Sequence, residues 1–194
     1  MLEETGSSLS PKNTALSAIG LFYLIVGAGA AAMIRICDID VVFLPRDDPG
    51  RAALGIALGA GFALAVVLLS SLGSRRYAWV RSLENEFRRL LGPMSDSEAF
   101  IAAVLSGCAE ELFFRGALQP LLGLVGASLV FGLVHVGPGR RFLPWTAFAL
   151  VAGFAFGSLV HFGFGLLPAM ISHGIVNFLN LRRIGEEASL FSSD

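Results

Sequence analysis

Four long stretches of the chain contain no Asp, Glu, Lys or Arg: 13–34, 52–74, 116–139 and 142–181. An α-helix needs about 20 apolar residues to cross the hydrocarbon core of a bilayer. The first two runs supply one span each, and the last is long enough for two. A further apolar segment begins near "SDSEAF", where Ser95 or Asp96 can cap a helix, and continues past a few charges into the third run. The pattern predicts an all-α, polytopic transmembrane helix bundle of about six spans.

Between the second and third spans lies "SRRYAWVRSLENEFRRLLG". Its apolar residues Trp79, Val80, Leu83, Phe87, Leu90 and Leu91 recur at helical spacing among arginines. We read 75–91 as one amphipathic helix lying on the membrane surface. No linker or internal repeat divides the chain, so 1–194 reads as a single membrane domain.

Composition agrees with this pattern. Of 194 residues, 55% are hydrophobic and 15% charged, where a soluble domain carries about 25% charged residues. Mean hydropathy is +0.72. The N-terminal "MLEETGSSLSPKNT" is polar and acidic rather than basic, and does not read as a cleavable signal. A net charge of −1 says nothing about partners; we expect the lipid bilayer and a membrane-associated substrate among them, and no nucleic acid. Arg75, Arg76, Arg81, Arg88, Arg89, Lys12, Arg140, Arg141, Arg182 and Arg183 fall on one side of the spans. Arg35, Arg46 and Arg51, diluted by four aspartates, fall on the other. That asymmetry predicts that both termini are cytoplasmic; the membrane we expect is a bacterial inner membrane. Cys37 and Cys108, the two cysteines, offer neither a disulfide nor a metal spacing. Gly55/Gly59 and Gly153/Gly157 have the spacing that lets helices approach closely in lipid.

The chemistry concentrates where charge enters the apolar helices, in "CAEELFFRGAL". A charge in a span costs at least a few kcal/mol and faces a cavity or a partner. Glu111 and Arg115 are four residues apart, on one helix face, and can pair. Glu110 lies about 100° round the helix and is poorly placed to join them. One carboxylate is thus neutralised and one is left over. His135 stands alone in "SLVFGLVHVGPG", and His173 and Asn177 share a face in "PAMISHGIVNFLN". If a helical hairpin turns near Gly123, Glu110 and His135 sit roughly 18–20 Å from that turn. A turn near "HFGFG" leaves His173 roughly 12 Å into the last helix, so these groups can meet inside the membrane. Pro120 in "ALQPLLG" is placed to kink the path.

These residues resemble the CPBP proteins (CaaX proteases and bacteriocin-processing enzymes, also called Abi). That family comprises intramembrane glutamic-type endopeptidases related to the type II CaaX prenyl endopeptidase. Its motifs EExxxR, FxxxH and HxxxN are matched in order by Glu110-Glu111 to Arg115, Phe131 to His135, and His173 to Asn177. The resemblance covers about 95–183, which it marks as the catalytic core. It implies that Glu110 with His135 activates a water, that His173 and Asn177 stabilise the oxyanion, and that Glu111 with Arg115 orients the site. It implies no cofactor. The substrate class would be a membrane-associated protein or peptide, cleaved by CaaX-type, leader-peptide or sorting-tail processing. The chain has fewer spans than the CaaX enzyme, so prenyl specificity does not follow.

Three other readings use the same residues. A zinc-dependent protease would take Glu110, Glu111, His135 and His173 as ligands, although no HExxH pair is present and Arg115 competes with a cation. A proton-coupled transporter would use the Glu and His residues as a relay. A non-catalytic scaffold would keep the fold alone. Substrate identity and oligomeric state are not legible in the residues.

Overall fold

The structure, a computed structural model, describes residues 11–190, with side chains described over 17–185. The polar N-terminal stretch lies, through Ser10, outside the described residues. Among the described residues seven α-helices follow one another: α1 (Pro11–Ile36), α2 (Pro49–Arg76), α3 (Ala78–Leu91), α4 (Asp96–Glu111), α5 (Gln119–Val134), α6 (Leu143–His161) and α7 (Leu166–Leu190). A π-helical segment, Leu112–Leu118, joins α4 to α5, and a short 3₁₀ turn, Arg140–Phe142, precedes α6. No strand occurs among the described residues. The protein is an all-helical, multi-pass membrane bundle.

Four described stretches are long and apolar enough to cross a bilayer: Ser17–Ile36, Pro49–Arg76, Asp96–Val134 and Arg140–His161. The third has 39 residues, about 58 Å if straight and roughly twice a bilayer core. It is not straight. Gly123 adopts φ 71° and ψ 173° inside α5, a left-handed-side conformation that glycine reaches without steric cost. The chain folds back there, which brings His135 beside Glu110. Helix α7 fails the hydropathy test because it carries His173, Asn177, Asn180, Arg182 and Arg183. It nevertheless runs through the middle of the bundle, packed on α2, α4 and α6. These two features account for the difference between four stretches and the expected count of about six spans.

The helix ends follow local chemistry. Ser95 accepts from the Glu98 N–H while the Glu98 side chain accepts from the Ser95 N–H, so a capping box starts α4. Asp48 caps α2 through the Arg51 N–H. Arg75 and Arg76 belong to α2 rather than to the surface helix. Tyr77, in extended backbone, separates the two, and α3 begins at Ala78 instead of residue 75.

Close approach holds α7 in place. A Cβ on Gly59 would lie 2.8 Å from the Pro168 carbonyl oxygen, and one on Gly107 would lie 3.0 Å from both the Gly174 nitrogen and the Met170 carbonyl oxygen. Gly153 plays the same part between α6 and α5, meeting the Ser128 backbone, while Gly157 makes room for the side chains of Leu124, Gln119 and Ser128. The helix carrying His173 and Asn177 is therefore seated by backbone contact, the main source of helix association in lipid. Gly107→Ala should cost about 1–3 kcal/mol, because the atoms it meets are backbone. Gly61→Ala, with nothing within 4 Å, should leave the protein as stable or slightly more so. Melting of both variants in detergent micelles checks the contrast.

Candidate active site

The π-helical segment sets the local geometry. The Gln119 N–H reaches back to the Phe114 carbonyl, five residues earlier. Pro120 follows directly. A proline lacks an N–H and its ring crowds the carbonyl four residues before it, and a wider turn relieves both. Phe114, Arg115, Gly116 and Ala117 are consecutive and all buried. Such a run places Arg115 well inside the bundle.

Glu111 is fully buried and Arg115 is 2% exposed. Arg115 Nε lies 3.1 Å from Glu111 Oε2, and its Nη1 donates to Oε1 at 3.2 Å. Arg115 Nη2 also donates to the Gly153 carbonyl at 3.1 Å. Below the guanidinium, the Phe131 ring centroid is 4.2 Å away, a distance at which a cation and a π face attract. Glu111 takes a second partner: His173 Nδ1 stands 2.7 Å from Oε1. Because Arg115 keeps Glu111 as an acceptor, His173 Nδ1 carries the proton and donates. Its ring stacks on Phe156, centroids 5.2 Å apart and planes at 16°. Glu111, Arg115 and His173 form one buried unit spanning α4, the π segment and α7.

Glu110 stands apart from that unit. Its Oε2 is buried without a hydrogen bond, and its near neighbour is His135 Nε2 at 3.5 Å. The other imidazole nitrogen, Nδ1, sits 2.6 Å from the Phe131 carbonyl, an oxygen that only accepts. His135 Nδ1 therefore donates, and in the neutral ring the lone pair of Nε2 faces Glu110. Thr146 donates to the His135 carbonyl at 2.9 Å, and Trp145 packs its ring edge-on to the imidazole. Side-chain exposures of 12% for Glu110 and 17% for His135, against 0% for Glu111, leave this pair within reach of a small molecule.

Asn177 is half-buried on α7, and its Nδ2 donates to Ser106 Oγ at 2.8 Å. The six residues singled out from sequence thus gather at the junction of α4, α5 and α7, divided between an open pair, a closed unit and an amide. Two residues went unread. Ser106 is one helical turn before Glu110. Tyr23 of α1 brings its phenol to the Glu110 carboxylate and the Ser106 hydroxyl. Ser106 could have been found from its i,i+4 spacing to Glu110; nothing in the sequence around Tyr23 marks it. His161 sits exposed at the end of α6, outside the site. Cys37 and Cys108 are both free and exposed.

The four alternative zinc ligands do not share a point. Glu111 is occupied by Arg115 and His173, and Glu110 faces His135. Among the described residues no three His, Cys, Asp or Glu side chains converge in a geometry that holds a metal ion. The donor set fits a zinc ion poorly.

Breaking a buried pair strands a charge and costs about 3–5 kcal/mol, whereas replacing both partners by apolar groups is close to neutral. Arg115→Met should therefore lower the melting temperature sharply, and adding Glu111→Leu should recover most of the loss. Thermal unfolding of the single and double variants decides it.

Comparison with known proteins converges on the same segment. Residues 97–179 match the family model described as "Type II CAAX prenyl endopeptidase Rce1-like". The chain is also 29% identical over 92 residues to YpbD of Bacillus subtilis, described as an uncharacterized protein, covering 46% of this chain and 47% of that one. The match thus spans about half the length of that relative. No solved structure matches the chain. The segment 97–179, which carries every motif side chain described above, is thus similar to the Rce1-like type II CAAX prenyl endopeptidases, a protease family.

Proposed function

We propose that this protein is an intramembrane endopeptidase that hydrolyses a peptide bond in a membrane-associated protein or peptide. The observation that carries the reading is the unequal fate of two adjacent carboxylates. Glu111 is neutralised by Arg115 and spends its remaining capacity holding His173. Glu110 has a lone pair free and an imidazole lone pair 3.5 Å away. Two acceptors side by side in an apolar wall are suited to take a proton from one water.

The chemistry then follows. Glu110, with His135 beside it, accepts a proton from water as the oxygen adds to the scissile carbonyl carbon. The carbonyl oxygen becomes an oxyanion. Asn177 donates an N–H to it. His173 donates through Nε2 in the imidazolium form, since its Nδ1–H is already given to Glu111. The proton on Glu110 passes to the amide nitrogen as the C–N bond breaks, releasing an amine and a carboxylic acid. Fixed donors in a site walled by Phe131 and Phe156 act with little screening, which is where oxyanion stabilisation is largest.

Access to this site is from the arginine-rich side. The loop after His135 leads to Arg140 and Arg141, and Arg141 pairs with Glu86 of α3. Phe87 of α3 packs edge-on against Phe142 and Trp145. The excess of basic residues on that side supports a cytoplasmic location for it and for both termini. Exposed Cys37, beyond α1, should then react with a membrane-impermeant maleimide added outside intact spheroplasts. Labelling only after lysis would reverse the topology.

The activity is tested by comparing membrane and secreted peptides from cells with the protein, without it, and with Glu110→Ala. New termini should depend on the protein and vanish in Glu110→Ala. Asn177→Ala should slow cleavage by about 100- to 1,000-fold, the usual effect of losing one oxyanion donor. The reading uses no metal, so cleavage by purified protein should survive EDTA; loss of activity in EDTA, restored by zinc, would favour the metalloprotease.

A further inference from the structure

Asn177 can help an oxyanion only if its amide presents nitrogen. Turned by 180° about its terminal bond, the same side chain presents Oδ1, which repels an oxyanion. Something must choose between the two edges. The hydrogen bonds around Ser106 make that choice. Ser106 is 3% exposed on α4, and its hydroxyl donates to the Ala103 carbonyl at 3.1 Å. A hydroxyl has one proton, so toward Asn177 the Ser106 oxygen can only accept. At 2.8 Å it accepts from Nδ2. The opposite rotamer would set Oδ1 against a lone pair with no proton between them.

The second proton of Nδ2 is left over. It projects from the same nitrogen, on the α4 side of Asn177, where Glu110 lies one helical turn beyond Ser106. Tyr23 closes the arrangement by reaching both Ser106 and Glu110 from α1. Its single O–H goes to the carboxylate, the stronger acceptor, so toward the phenol oxygen it is Ser106 that donates. With its one proton committed to Tyr23 or to the Ala103 carbonyl, the Ser106 oxygen still only accepts from Asn177.

We propose that Ser106 is a positioning residue that fixes the Asn177 carboxamide with an N–H, and not its carbonyl oxygen, toward the scissile bond. The role rests on the peptidase reading above. It belongs to a residue that none of the three motifs contains. Ser106 touches no reacting atom. It acts by setting the sign of the dipole that Asn177 aims at the developing charge.

The test is a double-mutant cycle with Ser106→Ala and Asn177→Ala, read in two ways on the full chain in detergent micelles. Melting temperatures show whether the two side chains interact, and their effects should be clearly non-additive. Cleavage of a farnesylated CAAX-type peptide shows what the interaction does. Ser106→Ala should lower kcat by about tenfold or more with KM unchanged, a part of the effect of losing the donor outright. In the Asn177→Ala background it should lower kcat no further. Ser106→Cys, which keeps the shape but offers a weak acceptor, should behave like Ser106→Ala and covers a folding defect in either variant. Equal losses in both backgrounds, additive melting shifts, or a change in KM alone would overturn the proposal. A wild-type protein that cleaves neither this peptide nor any membrane peptide removes the peptidase reading itself. The role of Ser106 falls with it, even where melting shows the bond.

Discussion

A fully buried arginine paired with a fully buried glutamate is the constraint on which the rest of this molecule turns. Inside a bilayer neither charge can be hydrated, so each must be met by protein. Arg115 is met by Glu111, by the Gly153 carbonyl and by the face of Phe131. Each partner comes from a different element, and the pair thereby fixes how α4, the π segment, α5 and α6 stand relative to one another. The remaining acceptor capacity of Glu111 reaches α7 through His173. One ion pair thus organises five elements and holds a proton on Nδ1 of the His173 imidazole.

The features that look like defects in an ideal helix bundle serve this unit. The π-helical turn allows Pro120 to follow at once and buries four consecutive residues around Arg115. The break at Gly123 returns the chain so that His135 stands 3.5 Å from Glu110. Gly107 and Gly153 remove side chains where backbones nearly touch, and Gly157 makes room for the side chains of Leu124 and Gln119. The Gly153 and Gly157 carbonyls accept from Arg115 and Gln119. A second polar cluster ties α3 to the bundle. Glu84 accepts from Ser74 at 2.6 Å and pairs with Arg183 at 2.7 Å, which ties α3 to α2 and α7 beneath the loop after His135.

Much of this was legible in the residues because the bilayer penalises charge so strongly. The charge-free runs marked α1, α2 and α6, the capping box at Ser95 marked the start of α4, and i,i+4 spacing paired Glu111 with Arg115. Turns at Gly123 and near "HFGFG" followed from glycine among apolar residues, and Gly163 and Gly165 do take positive φ. Other features could not be read this way. Hydropathy undervalues α7, whose polar residues are covered by protein rather than lipid. The break at Tyr77 depends on tertiary packing, and Pro120 marked a kink in the path without marking the π turn that accommodates it. Tyr23 lies about 90 residues before Glu110, so only the fold brings them together. The bond from His173 to Glu111 was also beyond reach, because i,i+4 reasoning sees within one helix and not across two.

The central claim is that two neighbouring glutamates do opposite work, one holding the structure and one left free for chemistry. The most direct measurement is a side-by-side comparison of Glu110→Gln and Glu111→Gln in lipid nanodiscs, following unfolding temperature and peptide cleavage in the same preparations. The account predicts that Glu110→Gln unfolds like the wild type and cleaves nothing, while Glu111→Gln loses stability and activity together. Full cleavage by Glu110→Gln, or an unfolding temperature that falls as far as that of Glu111→Gln, would contradict it.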